Sequence, residues 1–390
     1  MLDEQAGFMR SLEQADKLNR AIEFLPDDER LAERRTARLG LVRSELATLL
    51  AYSKITLYEE LLASDLPDTP ELESELVHYF PTPVRERAAE QMRSHRLRRE
   101  IIATRVTNRM VNRMGSTFVY RLGEETGAAA EDMARAFTVG LEVFDVGLLW
   151  AGIEALDRRV AVETQLAMLD QTTRLVERAT RWLVRHHRPP LDITATVTQF
   201  APGVATLMQE LPRLLMDADR DVLEQASAQL VDKGVPTDLA LRVAGLGMLF
   251  PALDIVESAR TSNLAVETVA GMYFALGTRL HLHWLRDQAL ALPLGNRWHS
   301  LARAALRDDL YELHSALATA VLQTSPQQLD ARGRIEAWMA QNSAPVERWL
   351  QVLSDIKAGE THDLATLSVA VHGLQNLIHP RTWGPAHRRR

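Results

Sequence analysis

The chain has 390 residues, 46% of them apolar and 25% charged, with a net charge of −7, no cysteine and a strong preference for Arg over Lys. That length suits two domains or one long helical array, and the apolar share is ample for a buried core. The lack of cysteine excludes disulfides, thiolate zinc sites and cysteine nucleophiles, and the acidic balance argues against a nucleic-acid binder, which needs a basic face. The N-terminus, Met1-Leu2-Asp3-Glu4-Gln5, is acidic with no apolar run behind it, so no signal peptide is read. The most apolar window, Val243–Val256, is short for a bilayer and contains Pro251. It reads as a buried helix or helical hairpin. A soluble, cytoplasmic protein with no membrane or nucleic-acid partner is expected.

Taken in chain order, Ser11–Arg38 has helical apolar spacing interrupted at Leu25-Pro26-Asp27-Asp28, where either Asp suits a helix N-cap. A long helix is predicted from Arg43 or Ser44 to about Ser64, with Leu46, Leu49, Leu50, Leu57, Leu61 and Leu62 as its apolar stripe. Ser53 and Lys54 fall where that stripe wants apolar residues. Pro67 and Pro70 mark a turn, a short helix follows, and Phe80-Pro81-Thr82-Pro83 is a second break. Arg85–Met114 reads as one long helix ended or kinked by Gly115. Helices follow over Phe118–Glu125, Ala128–Gly140, Leu148–Arg158 and Val162–His186.

The polar, doubly prolyl stretch His186-His187-Arg188-Pro189-Pro190 is the best domain boundary. Beyond it Ile193–Val204 reads two ways. Thr194, Thr196 and Thr198 alternate with Ile193, Ala195 and Val197 as in a strand, while Ile193, Val197, Phe200, Val204, Leu207 and Leu211 keep a helical phase. The longer phase favours helix, with breaks near Pro202-Gly203 and Pro212. Asp219–Lys233 is a helix stopped by Gly234, and Pro236 suits the first turn of the next. Ser262 or Asn263 is expected to cap a long apolar helix running towards Leu290, before a turn at Pro293-Leu294-Gly295-Asn296. Trp298–Gln323, Asp330–Gln341, Pro345–Ala358 and Leu364–Leu377 complete an all-α array in two helical subdomains, 1–187 and 188–378, with a mobile tail at 379–390.

Gly245-Leu246-Gly247 lacks the third glycine and preceding strand of a dinucleotide fold, so it reads as a close approach of helices and no Rossmann fold is expected. His281 and His283 are two apart on an expected helix and point to nearly opposite sides, and His186 and His187 sit at a helix end, so no metal site is expected. No nucleophile elbow occurs, and Asp308-Asp309 and Asp217, Asp219 and Asp221 suit capping and solvation. Lys54 suits snorkelling. No catalytic, cofactor-binding or metal residue is assigned.

The most informative segment is Arg85–Arg113, with nine Arg against three Glu, a net of +6 that leaves −13 for the rest. At 100° per residue Arg98, Arg105, Arg109 and marginally Arg113 gather on one flank, and Leu97, Ile101 and Val111 on another. Thr104, Asn108 and Asn112 form a polar column within or beside the apolar flank. A buried Asn needs hydrogen-bond partners, so this helix is expected to pack on polar groups. Three readings stay open: a solvated Arg face with an Asn–Asn bond between helices, a docking face whose Arg pair with a partner's carboxylates, or a seat for a small anion.

Several strings resemble the large NAD-specific glutamate dehydrogenases of bacteria. They are Leu49-Leu50-Ala51-Tyr52-Ser53-Lys54-Ile55-Thr56-Leu57-Tyr58 running into Glu60–Pro67, His95–Thr104 with Val106-Thr107-Asn108, and Val111–Gly115. Arg121-Leu122, Glu124–Ala128, Leu149-Trp150 with Ile153–Asp157, and Arg178–Leu183 continue the likeness, which is dense over about residues 10–200 and looser to about 378. The resemblance implies a helical C-terminal region of a very long polypeptide whose core oxidatively deaminates L-glutamate to 2-oxoglutarate and ammonia with NAD. The family's catalytic Lys and Asp and its nucleotide-binding glycines lie upstream of the matching segment, so none is carried over. NAD then belongs to the parent enzyme and no cofactor to this segment. The implied partner is the catalytic core of the same polypeptide, in a homo-oligomer, with Arg98, Arg105, Arg109, Thr104, Asn108 and Asn112 as the candidate docking face. The alternative is a stand-alone helical scaffold or anionic-effector module.

Overall fold

A computed structural model of the chain describes residues 2–293, 297–359 and 362–378, and among them it is all-α with no strand. The residues pack as two units. One holds the residues up to Ala155 with Gln165–Gln199, the other Leu156–Thr164 with the residues from Phe200 onward.

The first unit is built from α1 (Leu2–Gln14), α2 (Asp28–Thr36), α3 (Arg43–Ala63), α4 (Glu73–Tyr79), α5 (Thr82–Arg87), α6 (Ala89–Arg93), α7 (Arg98–Met114), α8 (Phe118–Thr126), α9 (Ala130–Val143) and α10 (Val146–Glu154). Most of α11 (Val162–His186) and the start of α12 (Ile193–Leu214) complete it. Asp27 caps α2, its carboxylate accepting from the Arg30 N–H at 2.9 Å. In α3 the buried positions below the first turn are Leu49, Ser53, Leu57 and Leu61, one per turn. The centre of α7 buries Ile101, Ile102, Val106, Met110 and Val111, and the helix packs against α3 and α4. Gly115 takes φ 91° to end α7, and Gly127, at φ 71°, ends α8. Gly127 is a left-handed cap, while Gly115 combines its positive φ with an extended ψ of 165°, and glycine adopts both without steric penalty. Arg121 of α8 donates to Glu177 of α11 at 2.7 Å. The buried Arg181 guanidinium pairs with Glu125 and lies 3.7 Å from Glu177, so two charged links staple α8 to α11.

Two sequence expectations in this unit are corrected. Helix in Ser11–Leu25 stops at Gln14. Arg85–Met114 is three helices rather than one. Ala88 leaves helical geometry at φ −134°, and Ser94, His95 and Leu97 separate α6 from α7. The cause is local competition for the backbone. The Ser94 hydroxyl donates to Glu90 O at 3.0 Å, and His95 Nδ1 accepts from the Leu97 N–H at 3.1 Å.

The second unit follows with α13 (Asp217–Asp232), α14 (Thr237–Gly245), α15 (Ala252–Ser262), α16 (Val266–Arg279), α17 (Leu282–Ala291), α18 (Arg297–Thr324), α19 (Ala331–Gln341), α20 (Ser343–Ala358) and α21 (Leu364–Ile378). Asp330 caps α19 through the Gly333 N–H at 2.8 Å. The expected close approach at Gly245 is present. A Cβ there would lie 2.8 Å from Leu211 Cδ2, whereas Gly247 faces open space.

Here too the structure corrects the sequence. The expected break near Pro202-Gly203 is absent, whereas the one near Pro212 comes two residues on, where α12 ends at Leu214. Pro202 forfeits a backbone bond, but Phe200, Val204, Leu207 and Leu211 are buried along one continuous face. The long helix expected towards Leu290 is two. Asn263 does not start it but closes α15 in the left-handed region at φ 54°, a conformation Asn tolerates. His281, at φ 56°, then separates α16 from α17. Residues 294–296 of the expected turn and the expected tail at 379–390 lie outside the described residues. Among the described residues no single helix is long and apolar enough to cross a membrane.

Candidate functional site

The polar side of α7 opens on a cleft of about 1240 Å³ in the first unit. Its other walls come from Glu71, α4, α9, α10 and the first turns of α12. Five of the six singled-out residues point this way by helical arithmetic alone. Thr104, Asn108 and Asn112 are spaced by four, as are Arg105 and Arg109 beside them. All five line the cleft, with Thr104 and Asn112 exposed and Asn108 half-buried. Arg98 does not belong to it. Its guanidinium donates to Asp68 Oδ1 at 3.0 Å, beside Arg99, which pairs with the same carboxylate.

The cleft's organising group is Glu75, on α4, whose side chain is 7% exposed. Arg105 Nε donates to Glu75 Oε2 at 2.9 Å and Arg109 Nη1 to Glu75 Oε1 at 2.6 Å. The polar packing expected for α7 is therefore supplied inside the unit, by a carboxylate on a neighbouring helix. One carboxylate serving two guanidiniums leaves further N–H donors directed elsewhere, since each guanidinium carries five. At the far end Arg113 donates to Glu154 at 2.5 Å and lies 4.5 Å above the Trp150 ring. One turn before Glu75, Glu71 accepts from the Thr194 hydroxyl at 2.6 Å. Its second oxygen, Oε2, is buried with no hydrogen-bond partner. A concave wall of guanidinium and amide donors beside an unserved carboxylate oxygen is suited to hydrogen-bonding another polar surface.

Sequence reasoning missed Glu71, Glu75, Trp150 and Glu154. The i, i+4 spacing of Glu71 and Glu75 was a usable signal, because it places two carboxylates on one face of a short helical segment.

A second polar cluster lies in the interior of the second unit, where the sequence offered only histidines at unremarkable spacing. Arg286 donates to the Tyr273 hydroxyl at 3.1 Å and to His283 Nδ1. His314 Nε2 donates to Tyr273 O at 2.7 Å, which leaves its buried Nδ1 bare. Burial, reinforced by Arg286 and opposed by Asp219, pushes the His283 imidazole down to about 4. Burial also holds His314 well below its ordinary value, with Arg286 and His283 adding to the effect. Gly277 makes room for both rings: a Cβ there would lie 2.6 Å from His283 Nε2 and 2.9 Å from His314 Cε1. Among the described residues no group of His, Asp and Glu is arranged to hold a metal ion.

Comparison with known proteins gives a consistent picture. The family model described as "Glutamate dehydrogenase, C-terminal" matches residues 38–376. The NAD-specific glutamate dehydrogenase of Pseudomonas aeruginosa is 40% identical over 374 residues, which cover 96% of this chain and 23% of that protein. That of Mycobacterium tuberculosis is 37% identical over 360 residues, 92% of this chain and 22% of the relative. That of Halomonas elongata is 35% identical over 370 residues, 95% and 23% respectively. The chain thus spans less than a quarter of the length of each of these relatives.

Proposed function

The chain belongs to the glutamate dehydrogenase C-terminal family, and from that premise we propose that it is the helical C-terminal part of an NAD-specific glutamate dehydrogenase. The parent oxidatively deaminates L-glutamate to 2-oxoglutarate and ammonia. Catalysis and NAD binding lie in the rest of the polypeptide, and this part braces that core within a cytoplasmic homo-oligomer. The observation that carries the reading is the pairing of near-complete coverage of this chain with 22–23% coverage of its relatives.

The cleft beside α7 is the docking face in this reading. Arg105 and Arg109 are already engaged by Glu75, so reversing their charge would disturb the unit as well as any partner. Thr104 and Asn112 are exposed on the same wall and make the cleaner test. Thr104→Arg with Asn112→Trp, introduced into the full-length polypeptide, should leave its helical content intact. Glutamate-dependent NAD reduction and the assembly mass by light scattering should both fall. Wild-type activity and mass in that variant would sink the docking assignment. Two observations bear on the parent assignment itself. An immunoblot of source cells should show a polypeptide several times heavier than 43.8 kDa, and this chain alone should not reduce NAD with glutamate.

A further inference from the structure

The serine that interrupts the leucine stripe of α3 opens a second cavity. Leu49, Leu57 and Leu61 are each at most 2% exposed and follow one another down the buried face, with Ser53, at 5%, standing in the turn between Leu49 and Leu57. A leucine there would continue the stripe. Instead Ser53 lines a cavity of about 680 Å³ in the first unit, bounded by α1, α3, α8 and the start of α9. That volume lies within the range of about 300–1,000 Å³ typical of small-molecule sites. Helical serines commonly satisfy their hydroxyl on the carbonyl four residues back, as Thr48 does on Ser44 O at 3.2 Å. The Ser53 hydroxyl makes no hydrogen bond among the described residues.

The lining sorts by chemistry. Phe8, Leu12, Leu57, Val119 and Met133 supply an apolar body. Glu60, Glu124 and Glu131 set three carboxylates around it against a single ammonium, Lys17, which Glu59 engages at 3.4 Å. Partial loss of solvent raises the Glu60 carboxyl above its ordinary value, against the pull of Lys17. A carboxylate that has lost part of its hydration gains more from a bound cation than one in open water.

We propose that this cavity binds a small protonated amine on an apolar body, its ammonium at the acidic mouth by Glu60 and its body on the floor, with Ser53 as the polar contact inside. A carboxylic acid would meet three like charges, and a purely apolar molecule would leave the Ser53 hydroxyl unserved.

The test is calorimetric titration of the chain with 2-phenylethylammonium and, separately, with its neutral counterpart 2-phenylethanol. The amine should bind saturably and the alcohol about tenfold or more weakly, the expected effect of a charge-assisted hydrogen bond. Ser53→Leu, which refills the stripe, should abolish binding of both. Glu60→Gln, at the mouth, should weaken the amine about fivefold or more and leave the alcohol unchanged. Absence of saturable amine binding, equal affinity for the two probes, or undiminished amine affinity in Glu60→Gln would each overturn the proposal. The Glu60 variant decides even if Ser53→Leu fails to fold.

Discussion

Arg109 and Glu75, 34 residues apart in the chain, meet at 2.6 Å across the cleft, and Arg105 holds the other oxygen of the same carboxylate. The carboxylate is nearly out of solvent while each guanidinium keeps about a third of its side-chain surface, 35% for Arg105 and 34% for Arg109. Desolvating the anion is the larger cost, and two donors offset it.

Glu75→Ala removes the acceptor of both Arg and should lower unfolding free energy by about 2 kcal/mol. That is below the cost of breaking a fully buried pair, because the stranded guanidiniums retain water. Arg105→Ala should cost less, since Arg109 keeps one oxygen served. Urea melts of the single and double variants give the coupling directly, and additive effects would mean the shared carboxylate does not link the two Arg.

Gly277→Ala tests the close packing in the second unit. An alanine is intrinsically better than glycine in a helix by about 1 kcal/mol. Here its Cβ would lie 2.6 Å from His283 Nε2 and 2.9 Å from His314 Cε1, too near without displacing both rings. The clash should win, with a net loss of about 1–3 kcal/mol. A raised Tm in the variant would show that the rings move aside freely.

The same histidines set an acid limit. His283 is pushed down to about 4 from an ordinary 6.5, and His314 is also lowered, so the folded state favours their neutral forms. A lowered imidazole contributes stability that is fully present above the unfolded value near 6.5 and lost as pH falls towards the folded value. For His283 the loss is on the order of 3 kcal/mol across that window. Stability measured from pH 7 to pH 4 should fall more steeply for the wild type than for His283→Gln, and parallel curves would remove His283 from the account.

Glu177→Ala removes one of the two links between α8 and α11, leaving Arg121 without its 2.7 Å acceptor while Arg181 keeps Glu125. The stranded Arg121 guanidinium, with 28% of its side chain exposed, makes the change cost about 2 kcal/mol. Glu177→Gln should recover part of it by keeping an acceptor. Equal melts for the two variants would assign the effect to packing rather than to charge.

Periodicity made much of the helical inventory legible. The start and end expected for α11, Val162 and His186, are its observed limits, and α3 was placed to within a residue at each end. These limits follow from spacing and punctuation, which act over a turn or two of chain. The misplaced limits share the opposite character. Ser94, His95 and Leu97 break a helix through side-chain bonds to the backbone that composition does not announce. Pro202 fails to break one because buried Phe200, Val204, Leu207 and Leu211 carry the helix through it.

By itself the sequence determined the all-α class and placed Thr104, Asn108 and Asn112 on one column beside Arg105 and Arg109, because neighbours four apart on a helix share a face whatever surrounds them. Which acid those Arg would meet, that Arg98 would leave them for Asp68, and that Ser53 would front a cavity were decided only by tertiary structure. Those facts depend on how helices separated by tens of residues cross and how closely they approach. Crossing and approach follow from the packing of many side chains together, not from the periodicity of any one segment.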